Sequence, residues 1–154
     1  MNSRVGRVLL AGAAGTVALE ATTYLDVALR GRAPSNVPER VVGRIAEKTG
    51  FEPLEESNTD EIAEHRRVGA SAMLGYLTGF AAATAAALLW APRRRLPLPV
   101  VAIVTGAAAM AISDIGATAL GVTDPSSWDL RAWLADAIPH AVFGVTTAAV
   151  LDRT

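Results

Sequence analysis

The sequence predicts an all-α integral membrane protein with four antiparallel transmembrane helices. Three observations predict it. Residues 68–90 run without one charged side chain, and about 20 such residues at a rise of 1.5 Å each cross a bilayer. Three other stretches are apolar apart from isolated acids and one His. The segments between them carry Pro, Gly and most of the arginines. A soluble bundle would instead show charges on one face of every helix, and residues 68–90 have no polar face. At 154 residues the chain is one domain, 1–154.

The first span covers 5–29, apolar after Arg7 except for Glu20 and Asp26. Arg4 and Arg7 followed by Val8-Leu9-Leu10-Ala11 imitate a signal peptide. Glu20 breaks the small-residue cleavage pattern, however, and Tyr24-Leu25-Asp26-Val27-Ala28-Leu29 continues the helix. Gly31 and Pro34 then stop it.

The loop 30–67 lies outside the membrane and holds a short amphipathic helix. Asn36 reads as its N-cap, Pro38 and Glu39 as its first turn, and Gly50 as its C′ stop. Val37, Val41 and Ile45 form an apolar stripe; Arg40, Arg44 and Lys48 form a basic one. Two readings are open: the helix lies on a lipid surface, or it packs over the mouth of the bundle.

The second span covers 68–91, and Asn58-Thr59-Asp60-Glu61 is a start signal that lets this helix begin near Thr59. Pro92-Arg93-Arg94-Arg95-Leu96-Pro97 is a stiff basic turn before the third span, 97–120. The fourth covers 131–151. Trp90 marks one membrane interface, Trp128 and Trp133 the other. Basic residues on the two sides are close in number, which leaves both orientations open; the density of Arg93–Arg95 favours that turn and both termini in the cytoplasm.

Composition narrows the function classes. A net charge of −1 and a pI near 6.1 give no nucleic-acid footprint. The absence of Cys removes disulfides, thiol catalysis and iron–sulfur clusters. Two His are too few for a bis-His dihaem core. Metal-ligand spacing, nucleophile elbow and phosphate loop are all missing from the sequence, so no catalytic residue, metal or cofactor is assigned and an enzyme acting on lipid is the weakest reading. Mean hydropathy is +0.33, an average over apolar spans and one charged loop. The excess of Arg over Lys and the abundance of Ala point to a bacterial source, hence a multi-pass protein of the inner membrane.

Two hairpins of one design are fused in tandem on this reading. Gly12-Ala13-Ala14 leads to Glu20, and Gly106-Ala107-Ala108 leads to Asp114 at the same spacing. Ser71, Gly75 and Thr78 match His140, Gly144 and Thr147. Gly75 with Gly79, and Ala11 with Gly15, are small-xxx-small pairs that let a neighbouring backbone approach.

The matched acids are the candidate site. Measured from the end with the longer loops, Glu20 and Tyr76 lie about 13 Å deep, and Asp114 and His140 about 10 Å. All four fall in one half of a core about 30 Å thick. Thr16, Glu20 and Thr23 share a face of the first span. Asp136 and His140 are i, i+4 on the last, so the carboxylate can orient or charge the imidazole. Pro139 has no N–H and frees the Ala135 carbonyl, which is tolerable in lipid only beside a polar cavity or partner. The polar cluster is therefore Glu20, Asp114, His140, Asp136 and Tyr76, supported by Thr16, Thr23 and Pro139. An acid at a helix centre costs roughly 2.5–3.5 kcal/mol on insertion scales, so it has either a job or a partner. A proton-linked carrier or channel is one reading. The other is a structural clamp within an accessory subunit of a larger membrane complex. Expected partners are membrane lipid and either a second copy or a complex subunit, not nucleic acid.

Ala119-Leu120-Gly121-Val122-Thr123-Asp124-Pro125, then Trp128, Trp133, Asp136 and Pro139-His140-Ala141-Val142-Phe143-Gly144, resembles small four-helix membrane proteins of unassigned function common in actinobacteria. It is similar, more loosely, to the end of the YagU-like inner-membrane family, with its Gly-Leu-Thr-x-Pro turn, Trp and His-x3-Gly. Here Val122 replaces Leu and Asp124 precedes Pro125, and the long loop 30–67 departs from that pattern. The resemblance implies four spans and an association with acid tolerance; those families carry no established enzymatic activity.

Overall fold

The structure, a computed structural model, describes residues 3–89 and 96–152. It is all-α: α1 Ser3–Arg30, α2 Val37–Thr49, α3 Glu61–Leu89, α4 Leu98–Ala119 and α5 Leu130–Asp152, with short 3-10 turns at Glu52–Leu54 and Pro125–Ser127. Among the described residues there is no strand. Four helices, α1, α3, α4 and α5, are long and apolar enough to cross a membrane. Their ends fall close to the boundaries that Gly, Pro and the charges set, except that α3 starts at Glu61 and carries two charged turns before its apolar run. Trp90 and the Arg93–Arg95 turn lie outside the described residues.

The four long helices form a ring in the order α1, α5, α4, α3. α5 packs most extensively, on α1 and on α4; α1 also packs on α3, and α3 meets α4 more sparsely. The diagonal pairs scarcely touch. One apolar cluster draws a residue from each: Leu19 of α1 packs against Ala82 of α3, Ala109 of α4 and Phe143 of α5. Phe143 is 2% exposed and, with Thr147, is the largest fully buried side chain. The rest of the core is mostly Ala, so the helices approach as near as their backbones permit.

Glycine sets these approaches. A Cβ on Gly144 would overlap the carbonyl oxygen of Ala102 and stand 2.7 Å from the Gly106 nitrogen. One on Gly106 would stand 2.6 Å from the His140 carbonyl oxygen. On α1, Gly15 receives Thr147 and the Phe143 ring, and Gly12 lies under Phe80 and Ala83 of α3. Gly79 receives Thr16. Gly75 has open space around it. Of the small-residue pair on α3, therefore, only Gly79 makes a helix contact. The matched glycines of the two hairpins are also used differently. Gly106 meets His140 and Gly144, whereas Gly12 meets Phe80 and Ala83, beyond the counterparts Ser71 and Gly75.

α2 packs over the bundle mouth. It lies mainly on α3, with a smaller contact to α4, and buries Val42, Gly43 and Ala46. Its basic stripe turns inward: Arg40 Nε meets Glu56 at 2.9 Å, and Arg44 Nε meets the same carboxylate at 3.0 Å. Arg40 also donates to the Val122 carbonyl at 3.1 Å, tying α2 to the chain beyond α4. From α3, Arg67 donates to the carbonyls of Glu55 and Asn58 at 2.7 and 2.9 Å. Gly50 closes α2 in the left-handed region, φ 70°, and the Phe51 N–H reaches the Ala46 carbonyl at 2.9 Å. The N-terminus differs from expectation. Asn36 makes no side-chain cap; Ser35 Oγ accepts from the Val37 N–H at 3.3 Å instead.

The α4–α5 contact fixes the fold most tightly, because backbone opposes backbone there and no side chain can give way. Gly144→Val is expected to lower stability by about 3 kcal/mol, the upper end of overpacking costs. Gly75→Ala should leave it unchanged or raise it by up to about 1 kcal/mol, the helix propensity difference. Thermal unfolding of the two variants in detergent, followed by circular dichroism, checks the pair.

Candidate functional site

Asp136 and His140 lie one turn apart on α5, whose side chains at that spacing stack along one face. His140 Nδ1 is 2.9 Å from the Asp136 carbonyl oxygen and 3.4 Å from its carboxylate Oδ1. Both are acceptors without hydrogens, so Nδ1 must be the donor. In the neutral ring Nε2 is then the acceptor. Pro139, between them and buried, offers no N–H to the Ala135 carbonyl one turn back.

Asp114 of α4 completes the group. It interacts electrostatically with both Asp136 and His140 across the α4–α5 contact. The close approach at Gly106 and Gly144 brings it there: with those backbones touching, side chains two turns along α4 and a turn back along α5 must meet. His140 and Asp136 keep only 13% and 26% of their side-chain surface exposed. Asp136 Oδ2 is buried and has no hydrogen-bond partner among the described residues. His140 and Asp136 are thus half-buried beside Asp114, with one Asp136 oxygen lacking a hydrogen-bond partner among the described residues.

The other sequence candidates are placed differently. Glu20 is half-buried on α1 and makes no hydrogen bond or ion pair among the described residues. The charges acting on Asp114 are those of α5, not Glu20. The paired register of Glu20 and Asp114 does not bring the two acids into one contact. Tyr76 and Thr23 are half-buried, likewise without a hydrogen bond. Thr16 is buried at the α1–α3 contact, where its hydroxyl donates to the Gly12 carbonyl at 2.9 Å and fills the space over Gly79. Its role is packing. Asp26, at the end of α1, holds two arginines on one oxygen: Arg30 at 2.6 Å and Arg32 at 2.7 Å. Among the described residues no group of three or more His, Asp or Glu is arranged to hold a metal ion.

The α4–α5 connection is built around Asp124. Its carboxylate accepts from the Ser126 hydroxyl at 2.7 Å and backbone N–H at 3.0 Å, which hold that carboxyl below the usual carboxylate range. Trp128 Nε1 donates to Thr123 at 3.0 Å, and its ring meets Trp133 edge to face at 5.1 Å. The Asp-Pro-Ser-Ser segment of the sequence is thus a turn that delivers α5 to α4.

Comparison with protein-family models, with curated proteins and with solved structures found no match.

The geometry fixes the imidazole's tautomer. Nitrogen-15 NMR of labelled protein in lipid should show neutral His140 carrying its proton on Nδ1. A bare Nδ1 would contradict the hydrogen bond to Asp136 and with it this account of the site.

Proposed function

We propose that the protein is a four-span membrane protein, its spans antiparallel, in which Asp114, Asp136 and His140 bind and release a proton during transport. The contact registers support the antiparallel arrangement. Along α1, Gly12 lies against Phe80 and Ala83 while the later Thr16 lies against the earlier Gly79. Along α4, Ala102 lies against Gly144 while the later Gly106 lies against the earlier His140. Extending these registers by a turn sets Glu20 at the height of Tyr76 and His140, on the helix beside the site.

The observation that carries the reading is the unsatisfied, buried Asp136 Oδ2 beside a second carboxylate and an imidazole. In lipid an isolated charge is expensive, and two facing carboxylates repel. One proton between them removes the repulsion and gives Oδ2 a partner. A charged imidazole does the same electrostatically. These states differ by the position of a single proton, which is what a proton-coupled site needs. A fixed clamp needs no such change of protonation. The association with acid tolerance implied by the YagU-like resemblance points the same way, as does a place in a bacterial inner membrane.

A second reading has its own observation. Gly69, Ala72 and Gly75 lie exposed on α3, and nothing approaches either glycine. Small residues facing outward in a membrane helix suit a close partner helix, from a second copy or from a larger complex in which this chain is an accessory subunit.

Vesicles loaded with a pH-sensitive dye separate the two. Asp114→Asn and Asp136→Asn should retain helical content yet cut proton flux by at least tenfold, the size of effect expected when a proton carrier is removed. Wild-type flux equal to that of empty vesicles, with a partner co-purifying at fixed stoichiometry, would move the assignment to the subunit.

A further inference from the structure

We propose that the cleft between the end of α1 and the start of α5 is a phosphate-group site, filled in the membrane by the headgroup of an anionic phospholipid. Arg30, Arg32 and Arg131 line it, with Ala132 and Ala135 behind them, around a volume of about 410 Å³. This site lies apart from Asp114, Asp136 and His140, and it rests on the reading that α1 and α5 span a membrane.

Charge argues for an anion. Arg30 and Arg32 converge on a single carboxylate oxygen of Asp26. One acid therefore answers two guanidiniums, and each guanidinium has five N–H donors. Arg131 is exposed and forms no ion pair among the described residues. Asp129 contributes only a longer-range attraction to Arg30. With Asp26 and Asp129 both counted, three cations against two anions leave the cleft net positive. Planar guanidiniums presenting several donors to one space are the arrangement that recognises phosphate oxygens.

Position argues for a lipid headgroup as the source. Arg30 is the last residue of α1 and Arg131 the second of α5, so the cleft sits where both spans end. Trp128 and Trp133 flank Arg131 in sequence and pack together, with Trp133 40% exposed. Such amphipathic rings settle at headgroup level.

The test uses the full chain in nanodiscs of phosphatidylcholine with and without phosphatidylglycerol, and native mass spectrometry of the released protein. Retained phosphatidylglycerol is expected on wild type and about tenfold less on Arg131→Gln, the loss of one charge-assisted hydrogen-bonding group. Arg131→Gln leaves the fold alone because that side chain has no partner to lose. Arg66→Gln, an exposed arginine at the other side of the same bundle end, should retain lipid as wild type does. A second arm titrates inorganic phosphate into detergent-solubilised protein and follows Trp fluorescence. A response to phosphate that depends on Arg131, without lipid retention, would keep the site and make a free anion its ligand. Equal loss in Arg66→Gln and Arg131→Gln would show general surface attraction and overturn the site. So would no Arg131-dependent signal in either arm. Failure of the chain to enter nanodiscs at all would overturn the membrane reading, and the headgroup proposal with it.

Discussion

Backbone contact between α4 and α5 governs the rest of the structure. Where Gly144 lies on Ala102 and Gly106 lies on His140, no side chain separates the helices. In water such a contact would be one among many burying apolar surface. In lipid, apolar burial between helices gives little, since the tails are as apolar as Leu, and close packing carries the association. Phe143, reaching Leu19, Ala82 and Ala109, gives the four helices one shared centre. The contact also has a chemical consequence. It brings the α4 face carrying Asp114 against the α5 face carrying Asp136 and His140, so the packing that holds the bundle also brings its polar groups together.

Two devices at the ends support this centre. At one end, α2 brings Arg40 and Arg44 onto Glu56 and reaches the Val122 carbonyl. These ion pairs are partly exposed, and as isolated pairs they would contribute little. Their value is positional: Arg40 joins α2, the 55–58 turn and the chain leaving α4, so the mouth of the bundle is closed by one network. At the same end, the Asp124 turn and the Trp128–Trp133 pair set the angle at which α5 enters. Proline then reappears at 139, where its missing donor loosens the helix beside the only half-buried His.

Much of this was legible in the chain because long, mostly apolar runs specify long helices. Runs near 20 residues with few charges, bounded by Gly31, Pro97 and Gly121, gave the long helices to within a few residues, and Gly50 gave the end of α2. The Asp136–His140 pair was legible because i, i+4 spacing on one helix is a local property. What periodicity could not supply was rotation. α3 is apolar on every side, so nothing in its sequence says that Gly79 faces α1 while Gly75 faces outward. The same ambiguity misled the comparison of hairpins: Glu20 and Asp114 share a spacing from a Gly-Ala-Ala step, yet Gly12 and Gly106 meet their partners in different registers, so equal spacing did not give equal surroundings. Asn36 makes no cap; Pro38, at the second helical position, has no N–H to give it, and the first-turn contact comes from Ser35 to Val37 instead.

The placement of the acids then separates two kinds of burial. Asp26 is an acid in a span that is fully answered, by two guanidiniums at the helix end, and needs no further explanation. Thr16 and Thr147 are polar groups made harmless by α1 carbonyls: Thr16 donates to Gly12 on its own helix, and Thr147 donates across from α5 to Ala11. Asp114 and Asp136 have neither remedy. No arginine reaches them among the described residues, and a carboxylate, unlike a hydroxyl, cannot donate to a backbone carbonyl unless it holds a proton. His140 already directs Nδ1 at the Asp136 carbonyl, and Asp136 Oδ2 has no hydrogen-bond partner among the described residues. A bundle selected only for cohesion would gain by replacing Asp136 with Ala or Thr, whose burial costs less at the same spacing. In Asp136 that cost is not offset by the helix packing alone.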